Sequence, residues 1–431
     1  MPHPGDVGRA RGEDRGVPRL DVGGGPVRRT GRAAPGGGGV RKVYFDHNAT
    51  TPVHPEVAEA VQPFLGELFG NPSSIHWAGR DVRKAVEDAR AEIAAFYGCR
   101  PLEIVLTSSG TESDNLAVKG VAYREGNGGK HIVTSAVEHP AIMNTCRFLE
   151  TRGYRVTYVP VNRQGIVEPD AVRAAIAKDT ILVSIMTANN ETGCLMPIRE
   201  VGRIAREAGV LMHTDAVQAT GKVPLSWEDL PVDLLTFSGH KINGIKGAGG
   251  LIVRKGVEIA AAIHGGHQER GRRGGTENVV GTVAMGKAFS ILRKEMDAEA
   301  AEVRRLRDTF EAELFSRIPD LVLNGHPTLR LPNTVNLSFR FVEGEALLLN
   351  LDMMGIACSS GSACTSGSLE ASPILMAMGA DPTDAQGALR FSLGRGNTDD
   401  DVAYAVGAIE AVVEKLRAMS PLYHPREARA R

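Results

Sequence analysis

Chemistry in this chain gathers where short apolar runs end. The run Leu234-Leu235-Thr236-Phe237 gives way to Ser238-Gly239-His240-Lys241, which puts a lysine directly after a strand-like segment. At the carboxyl edge of an open α/β sheet, such a side chain reaches into the crevice where ligands bind. Partly desolvated beside another cation, its amine is pushed toward the neutral form that attacks carbonyls, the chemistry of a Schiff-base lysine. Lys246, in Gly244-Ile245-Lys246-Gly247, is a competing amine, but Lys241 follows the run directly. An ordinary surface lysine is the alternative, and only its company can decide.

That company is found at other run ends. Ile104 to Thr107 is followed by Ser108-Ser109-Gly110-Thr111-Glu112-Ser113 and a helical segment. Free N–H groups at a helix N-terminus, with hydroxyls beside them, make a phosphate site, although a plain N-cap uses the same residues. After His131 to Ser135 comes Glu138-His139-Pro140, a ring able to stack on a planar ligand or to move protons. After Ile181 to Met186 come Asn189 and Asn190, amides suited to a phenolic oxygen or a carboxylate. After Val210 to His213 comes Asp215-Ala216-Val217-Gln218. A carboxylate leaving a buried strand needs a charged partner, which a protonated pyridine nitrogen would supply. Phosphate, ring face, phenolate, ring nitrogen and aldehyde are the groups of pyridoxal 5'-phosphate, each met here by one strand end.

A second candidate lies in Ala357-Cys358-Ser359-Ser360-Gly361-Ser362-Ala363-Cys364-Thr365-Ser366-Gly367-Ser368. So much Gly and Ser predicts a mobile loop that carries the Cys364 thiol between a buried substrate and an outside acceptor, or else a linker with an incidental cysteine. Cys358, next to apolar Ile356 and Ala357, reads as structural. Arg390 sits inside the strand-like Ala388-Leu389-Arg390-Phe391-Ser392 and needs a carboxylate, either a structural acid or that of an amino-acid substrate. The glycine-rich run His264 to Thr276 reads as a flexible cationic loop rather than a metal site.

The elements that must position these groups follow from pattern. Apolar residues at helical spacing run from Gly79 to Tyr97, and a further helix is expected after Pro55. Seven short β-rich runs (at Ile104, His131, Arg155, Thr180, Val210, Leu234 and Gly250) alternate with helix-like gaps, which predicts an α/β domain of about seven strands, mainly parallel. A charged amphipathic helix from about Ile291 to Ile318 connects it to a smaller α+β domain, with strands at Thr334–Phe339 and Ala388–Ser392 and helices at 345–353 and 400–419. Residues 1–42 are a Gly/Pro/Arg-rich arm that cannot recover its ordering entropy and should be disordered.

With 431 residues the chain suits one large and one smaller domain, and its net charge of −1 implies neither nucleic acid nor an acidic membrane surface. Five cysteines without a C-x-x-C pair suggest neither disulfides nor zinc, and no apolar stretch is long enough to span a bilayer. A reducing, cytoplasmic setting is expected.

From Val43 to Leu422 the chain resembles the cysteine desulfurases, pyridoxal-phosphate enzymes of the class V aminotransferase superfamily. The resemblance rests on Asp46-His47-Asn48-Ala49-Thr50-Thr51-Pro52, Gly70-Asn71-Pro72-Ser73-Ser74, Gly110-Thr111-Glu112-Ser113, Glu138-His139, Asn189-Asn190-Glu191, Asp215-Ala216-Val217-Gln218, Ser238-Gly239-His240-Lys241, Gly274-Gly275-Thr276, Ser360-Gly361-Ser362-Ala363-Cys364 and Arg390-Phe391-Ser392-Leu393-Gly394-Arg395. It implies the transferase fold type I of pyridoxal-phosphate enzymes, with residues 51–298 as the cofactor-binding domain and residues 43–50 with 299–431 as the smaller one. It implies Lys241 as cofactor lysine, Asp215 at the ring nitrogen, and Gln218 and Asn190 at the phenolic oxygen or the substrate. His139 would stack on the ring and handle protons, and Gly110, Thr111, Ser238, Gly239 and His240 would lie at the phosphate. Thr276 resembles the residue that reaches the partner subunit's phosphate in a homodimer.

Cys364 resembles the nucleophile and Arg390 the ligand of the substrate carboxylate. The implied reaction turns L-cysteine into L-alanine and passes sulfur, as a persulfide, to an iron–sulfur scaffold or other acceptor protein, or toward tRNA thiolation. No resident metal is implied, although Cys364 could lend a transient ligand to a cluster on a partner. A selenocysteine lyase, a class V aminotransferase and a catalytically silent scaffold are the alternatives. The unmatched N-terminal arm, Cys194 and Asp381-Pro382-Thr383 depart from the family pattern and bear on partner choice and localisation.

Overall fold

Burial explains why the apolar runs become strands. Along Ile104–Thr107, Ile104 and Leu106 join one hydrophobic cluster while Val105 joins another. Leu235 and Phe237 likewise face the first cluster and Leu234 the second. Side chains alternate across a strand, so a run apolar at every position has both faces covered. A computed structural model describes residues 41–124, 128–360, 371–421 and 423.

The main sheet has seven strands in the order Ile104–Thr107, Gly249–Val253, Leu234–Ser238, Leu211–Asp215, Thr180–Ser184, His131–Ser135 and Arg155–Val159. Gly249–Val253 is antiparallel to both its neighbours, and every other pairing is parallel. All strands but that one therefore end at the same edge. The polar residues that follow them in sequence are gathered there by topology alone. Asp215 and Ser238 prove to be the last residues of their strands rather than the first residues beyond them.

A third hydrophobic cluster collects Val43, Phe45, Leu306, Phe310, Leu337, Phe391 and Val413, among others. It surrounds an antiparallel sheet of four strands in the order Ser359–Ser360, Ala388–Ser392, Thr334–Phe339 and Leu321–Leu323. Val43–Tyr44 pairs in parallel with Ile356–Ala357, so the start of the described chain is tied to residues far along it.

The long helix runs Val279–Arg317 and begins well before the predicted Ile291. Its first turns, Val279-Val280-Gly281-Thr282-Val283, are poor helix formers by propensity. Burial of Gly281, Ala284, Met285, Ala288 and Phe289 against the rest of the protein outweighs that preference. Gly286 allows the helix to close on Ala89 of helix Trp77–Tyr97, since a Cβ there would stand 2.5 Å from Ala89.

Candidate active site

Lys241 ends the short turn Gly239–Lys241 that follows strand Leu234–Ser238. Its Nζ donates to the carbonyls of Asn48 and Ala49, the latter at 2.7 Å. The Asn48 carbonyl also accepts from Gln218 Nε2 at 2.9 Å, so the lysine and the glutamine meet on one oxygen. The Asn48 side chain donates to Thr334 Oγ1 at 2.9 Å and to the Asn190 carbonyl at 3.3 Å. That carbonyl accepts from Arg390 Nη1 at 3.0 Å, while Arg390 Nη2 pairs with Asp46 Oδ1 at 2.7 Å. One chain of contacts thus joins Lys241, Gln218, Asn190 and Arg390.

Asp215 lies at the end of the neighbouring strand, where its Oδ1 accepts from the Val217 N–H at 2.9 Å. Burial raises its pKa, and the charges of His139 and Lys241 pull it back. His139 caps helix Pro140–Glu150 by accepting the Ala141 N–H on Nδ1 at 3.1 Å, so the neutral ring carries its proton on Nε2. Its pKa is lowered by burial, raised by Asp215 and lowered by Lys241. His139, Asp215 and Lys241 therefore act on one another electrostatically.

The predicted anion cradle is the start of helix Gly110–Ala122. Ser109 caps it, its hydroxyl accepting from the Glu112 N–H at 3.1 Å. The Gly110 and Thr111 N–H groups lie in the first turn, where no helical carbonyl can reach them. A Cβ on Gly110 would come within 2.8 Å of Val217 Cγ2 and 3.6 Å of Ser238 Cβ, so only glycine lets this turn sit against both the Asp215 turn and the lysine strand. Gly239 N–H bonds the Ala248 carbonyl at 3.0 Å. His240 bonds Thr50 Oγ1 at 3.2 Å, and burial, with Lys241, Lys246 and Lys222, holds its pKa at about 4. Glu112 would repel an anion here, but it pairs with Arg273 at 2.8 Å and accepts from the Ser108 N–H at 2.8 Å. Burial raises its pKa, and those partners outweigh burial to leave it lowered.

Thr276 stands apart from this cluster, exposed on its loop. The loop is less free than its composition predicts. Glu269 is buried, accepts from Arg90 at 2.7 Å and from the Leu106 N–H at 3.0 Å, and takes a left-handed backbone with φ of 48°. Cys364 lies outside the described residues, but the segments flanking it are tied to the site. On one side Ser359 Oγ donates to Asp46 Oδ1 at 2.9 Å, and on the other Ser372 Oγ donates to Glu191 Oε2 at 2.6 Å. Cys358 packs against the cluster around Phe310 and Phe391, and burial pushes its thiol far up, consistent with a structural role.

Some residues of the site escape sequence reasoning. Asn48, the hub of the hydrogen-bond chain, follows a strand of only two residues, too short to show a period. Lys222, which donates to Gln218, lies in a turn with no strand before it to advertise it. Asp114 and His213 are buried in the middle of elements, where a single polar residue gives no end-of-strand signal.

The residues present fit pyridoxal phosphate. Ser238 Oγ beside the cradle and Asn190 Oδ1 beside Arg390 are buried polar atoms without a protein partner, and such atoms normally have one. Asp215 offers a carboxylate for a cationic ring nitrogen, and Lys241 an amine for an aldehyde. Among the described residues, no group of three His, Cys, Asp or Glu side chains is arranged to hold a metal ion.

Comparison with known proteins agrees with this chemistry. The family model for aminotransferase class-V matches residues 43–404. A cysteine desulfurase IscS of Dictyoglomus turgidum is 51% identical over 88% of this chain and 97% of its own length. One of Methanosarcina thermophila is 50% identical over 90% of this chain and 96% of its own. Among solved structures, a NifS-like protein superposes with a TM-score of 0.82 at 39% identity, covering 87% of this chain and 100% of that one. The structure described as SspA in complex with cysteine gives 0.74 at 34% identity, covering 82% of this chain and 99% of that one. The chain belongs to the class-V aminotransferase family, as one of its pyridoxal-phosphate-dependent cysteine desulfurases.

Proposed function

We propose the following division of labour in this cysteine desulfurase, carried by the convergence of Lys241, Asp215 and His139 at one sheet edge. Gly110 and Thr111 N–H groups, Ser238 Oγ and His240 hold the phosphate of the cofactor. Asp215 keeps the ring nitrogen protonated, His139 lies against the ring, and Gln218 and Asn190 serve the phenolic oxygen and the substrate. Bound there, the cofactor supplies an electrophilic carbon for amines and a cationic ring that accepts the electrons left when the α-proton departs.

L-cysteine enters with its carboxylate toward Arg390, whose Nε is buried without a partner and is the donor left over by Asp46 and Asn190. Lys241 Nζ takes the α-proton. The Cys364 thiolate then attacks the substrate sulfur. An S–S bond forms as the Cβ–S bond breaks, the electron pair stays on Cβ and takes up a proton to make the methyl group, and return of a proton from Lys241 Nζ to Cα completes alanine.

The persulfide on Cys364 passes to an acceptor protein, an iron–sulfur scaffold or a carrier for tRNA thiolation, in the cytoplasm. The ties of Ser359 to Asp46 and of Ser372 to Glu191 support a Cys364 segment anchored at this site. We read the chain as a homodimer, with Thr276 serving the partner subunit's phosphate. The exposed Leu65, Phe69, Ile75 and Trp77 favour a second copy as their cover. The separate hydrophobic cluster around Phe310 and Phe391 supports reading residues 43–50 and 299–431 as a smaller domain beside 51–298. Among the described residues no helix is long and apolar enough to cross a membrane.

Mass spectrometry after L-cysteine treatment tests this reading. One added sulfur on the Cys364 peptide, with alanine released, is expected. Cys364→Ser should release no alanine and carry no persulfide, and full persulfide formation in that variant would overturn the assignment. Lys241→Ala should lose alanine formation by about a thousandfold or more, together with the borohydride-sensitive yellow colour.

A further inference from the structure

Behind Lys241, on the side of the long helix, lies a cavity of about 40 Å³ lined by His47, Lys222, Lys241, Glu299, Asn333 and Arg395. It has room for a water molecule. Its second amine is unexplained by the reaction above. Lys222 Nζ donates to the Gln218 carbonyl at 3.0 Å and to Gln218 Oε1 at 3.2 Å. Because the ammonium can only donate, it decides which way the Gln218 amide faces. The oxygen turns to Lys222, and the nitrogen is left to donate to the Asn48 carbonyl, which Lys241 also binds.

Charges press on Lys222 from every element around it. Lys241 follows the central strand, Arg390 is in the small sheet, and Glu299 is on the long helix. His47 and His240 also feel Lys222, and burial with their neighbours leaves both neutral at pH 7. Burial first, then Lys241 and Arg390, brings the Lys222 amine down to about 7, against the pull of Glu299. Below about pH 7 Lys222 is a cation held close to the reactive lysine and in contact with its hydrogen-bond partner.

We propose that Lys222 is a positioning residue of the catalytic centre: it fixes the orientation of the Gln218 amide and sets a positive charge beside Lys241 that favours the unprotonated state of the lysine–cofactor linkage. The inference rests on Lys241 being the cofactor lysine, as proposed above.

The test is the pH titration of the visible absorption of the cofactor-loaded enzyme. Removing a neighbouring positive charge favours the protonated form. Lys222→Met should therefore move the midpoint up by about one pH unit, and Lys222→Arg, which keeps the charge, should return it toward wild type. A Lys222→Met enzyme that binds cofactor and titrates with wild type overturns the proposal. Should Lys222→Met not retain cofactor, Lys222→Gln replaces it under the same criterion. If neither variant loads, Lys222→Arg must load and titrate with wild type, and its failure also overturns the proposal. Wild-type enzyme without a borohydride-sensitive chromophore would instead refute the assignment of Lys241, which keeps the two failures distinct.

Discussion

Two polar clusters flank the same sheet edge, one of basic side chains and one of acidic side chains. On one side stand the cations Lys222, Lys241 and Arg390. On the other stand the acids Asp114, Glu138 and Asp215, all buried. The cations sit among carbonyl oxygens, with Asp46 the acid that pairs Arg390. The acids have mostly neutral company. Glu138 accepts from Ser135 Oγ at 2.6 Å and from the Met186 N–H at 3.0 Å, and its second oxygen is buried without a partner. Asp114 lies 3.7 Å from His213, which burial holds neutral with a pKa of about 3. The difference teaches what the centre is built to receive: a molecule that brings negative charge to the cation side and a positive group to the acid side. Pyridoxal phosphate with an amino-acid substrate has that polarity.

The acids are not equivalent, and the sharpest way to break the comparison is to neutralise them one at a time. Burial raises Asp114 well above the usual carboxylate range, with Asp215 and Glu138 adding to it, and burial raises Glu138 to about 8. Glu138 is therefore mostly a neutral acid at pH 7, and burial shifts Asp114 in the same direction. Burial raises Asp215 too, but it is the acid that His139 and Lys241 both pull back toward the ionised form. Asp215→Asn should lower the rate of alanine formation by about a hundredfold or more, because a neutral amide cannot hold the ring nitrogen protonated. Asp114→Asn and Glu138→Gln, which mimic the protonated acids, should stay within about threefold of wild type. Equal losses in all three would mean that the charge is shared and the distinction false.

A smaller effect separates binding from chemistry on the cation side. Arg390→Lys keeps the charge but loses the planar fork that can serve Asp46, Asn190 and a substrate carboxylate together. Steady-state kinetics should show the KM for L-cysteine rising about tenfold with kcat within about threefold of wild type. A fall confined to kcat would make Arg390 a structural partner of Asp46 only.

How much of this is legible in the sequence follows from which forces place each group. The lysine, the aspartate and the cradle glycine are legible because strands in one sheet that run the same way must end at one edge. Knowing seven runs and their tails is nearly enough to assemble them. Asn48 and Lys222 are not legible, because each depends on a contact between distant segments. Asn48 is held by Thr334 and Ser392, and Lys222 by the turn of Gln218 as it meets the long helix. The dual character of Arg390, a strand arginine with a carboxylate already in place, likewise needed Asp46 to be brought across the fold. Propensity misleads where burial dominates, as in the Val- and Gly-rich start of the long helix.

The smallest predicted effect is on stability, and it asks whether the acid side is neutral in the absence of any ligand. Glu138 has an ordinary value of 4.5 and is raised to about 8 in the folded protein, first by burial. Between those values the folded state holds a proton that the unfolded state has lost, so stability must fall as pH rises. The contribution is fully present below about pH 4.5 and gone once the pH passes about 8. Asp114, raised by the same burial, adds a slope of the same sign. Glu138→Gln, permanently neutral, should lose roughly 2 °C less in melting temperature than wild type between pH 6 and pH 8, measured by calorimetry on the cofactor-free protein. Parallel curves for the two proteins would mean that Glu138 is already ionised in the fold. The acid cluster would then carry more negative charge than a single ring nitrogen can balance, and the contrast between the two sides of the sheet edge would have to be redrawn.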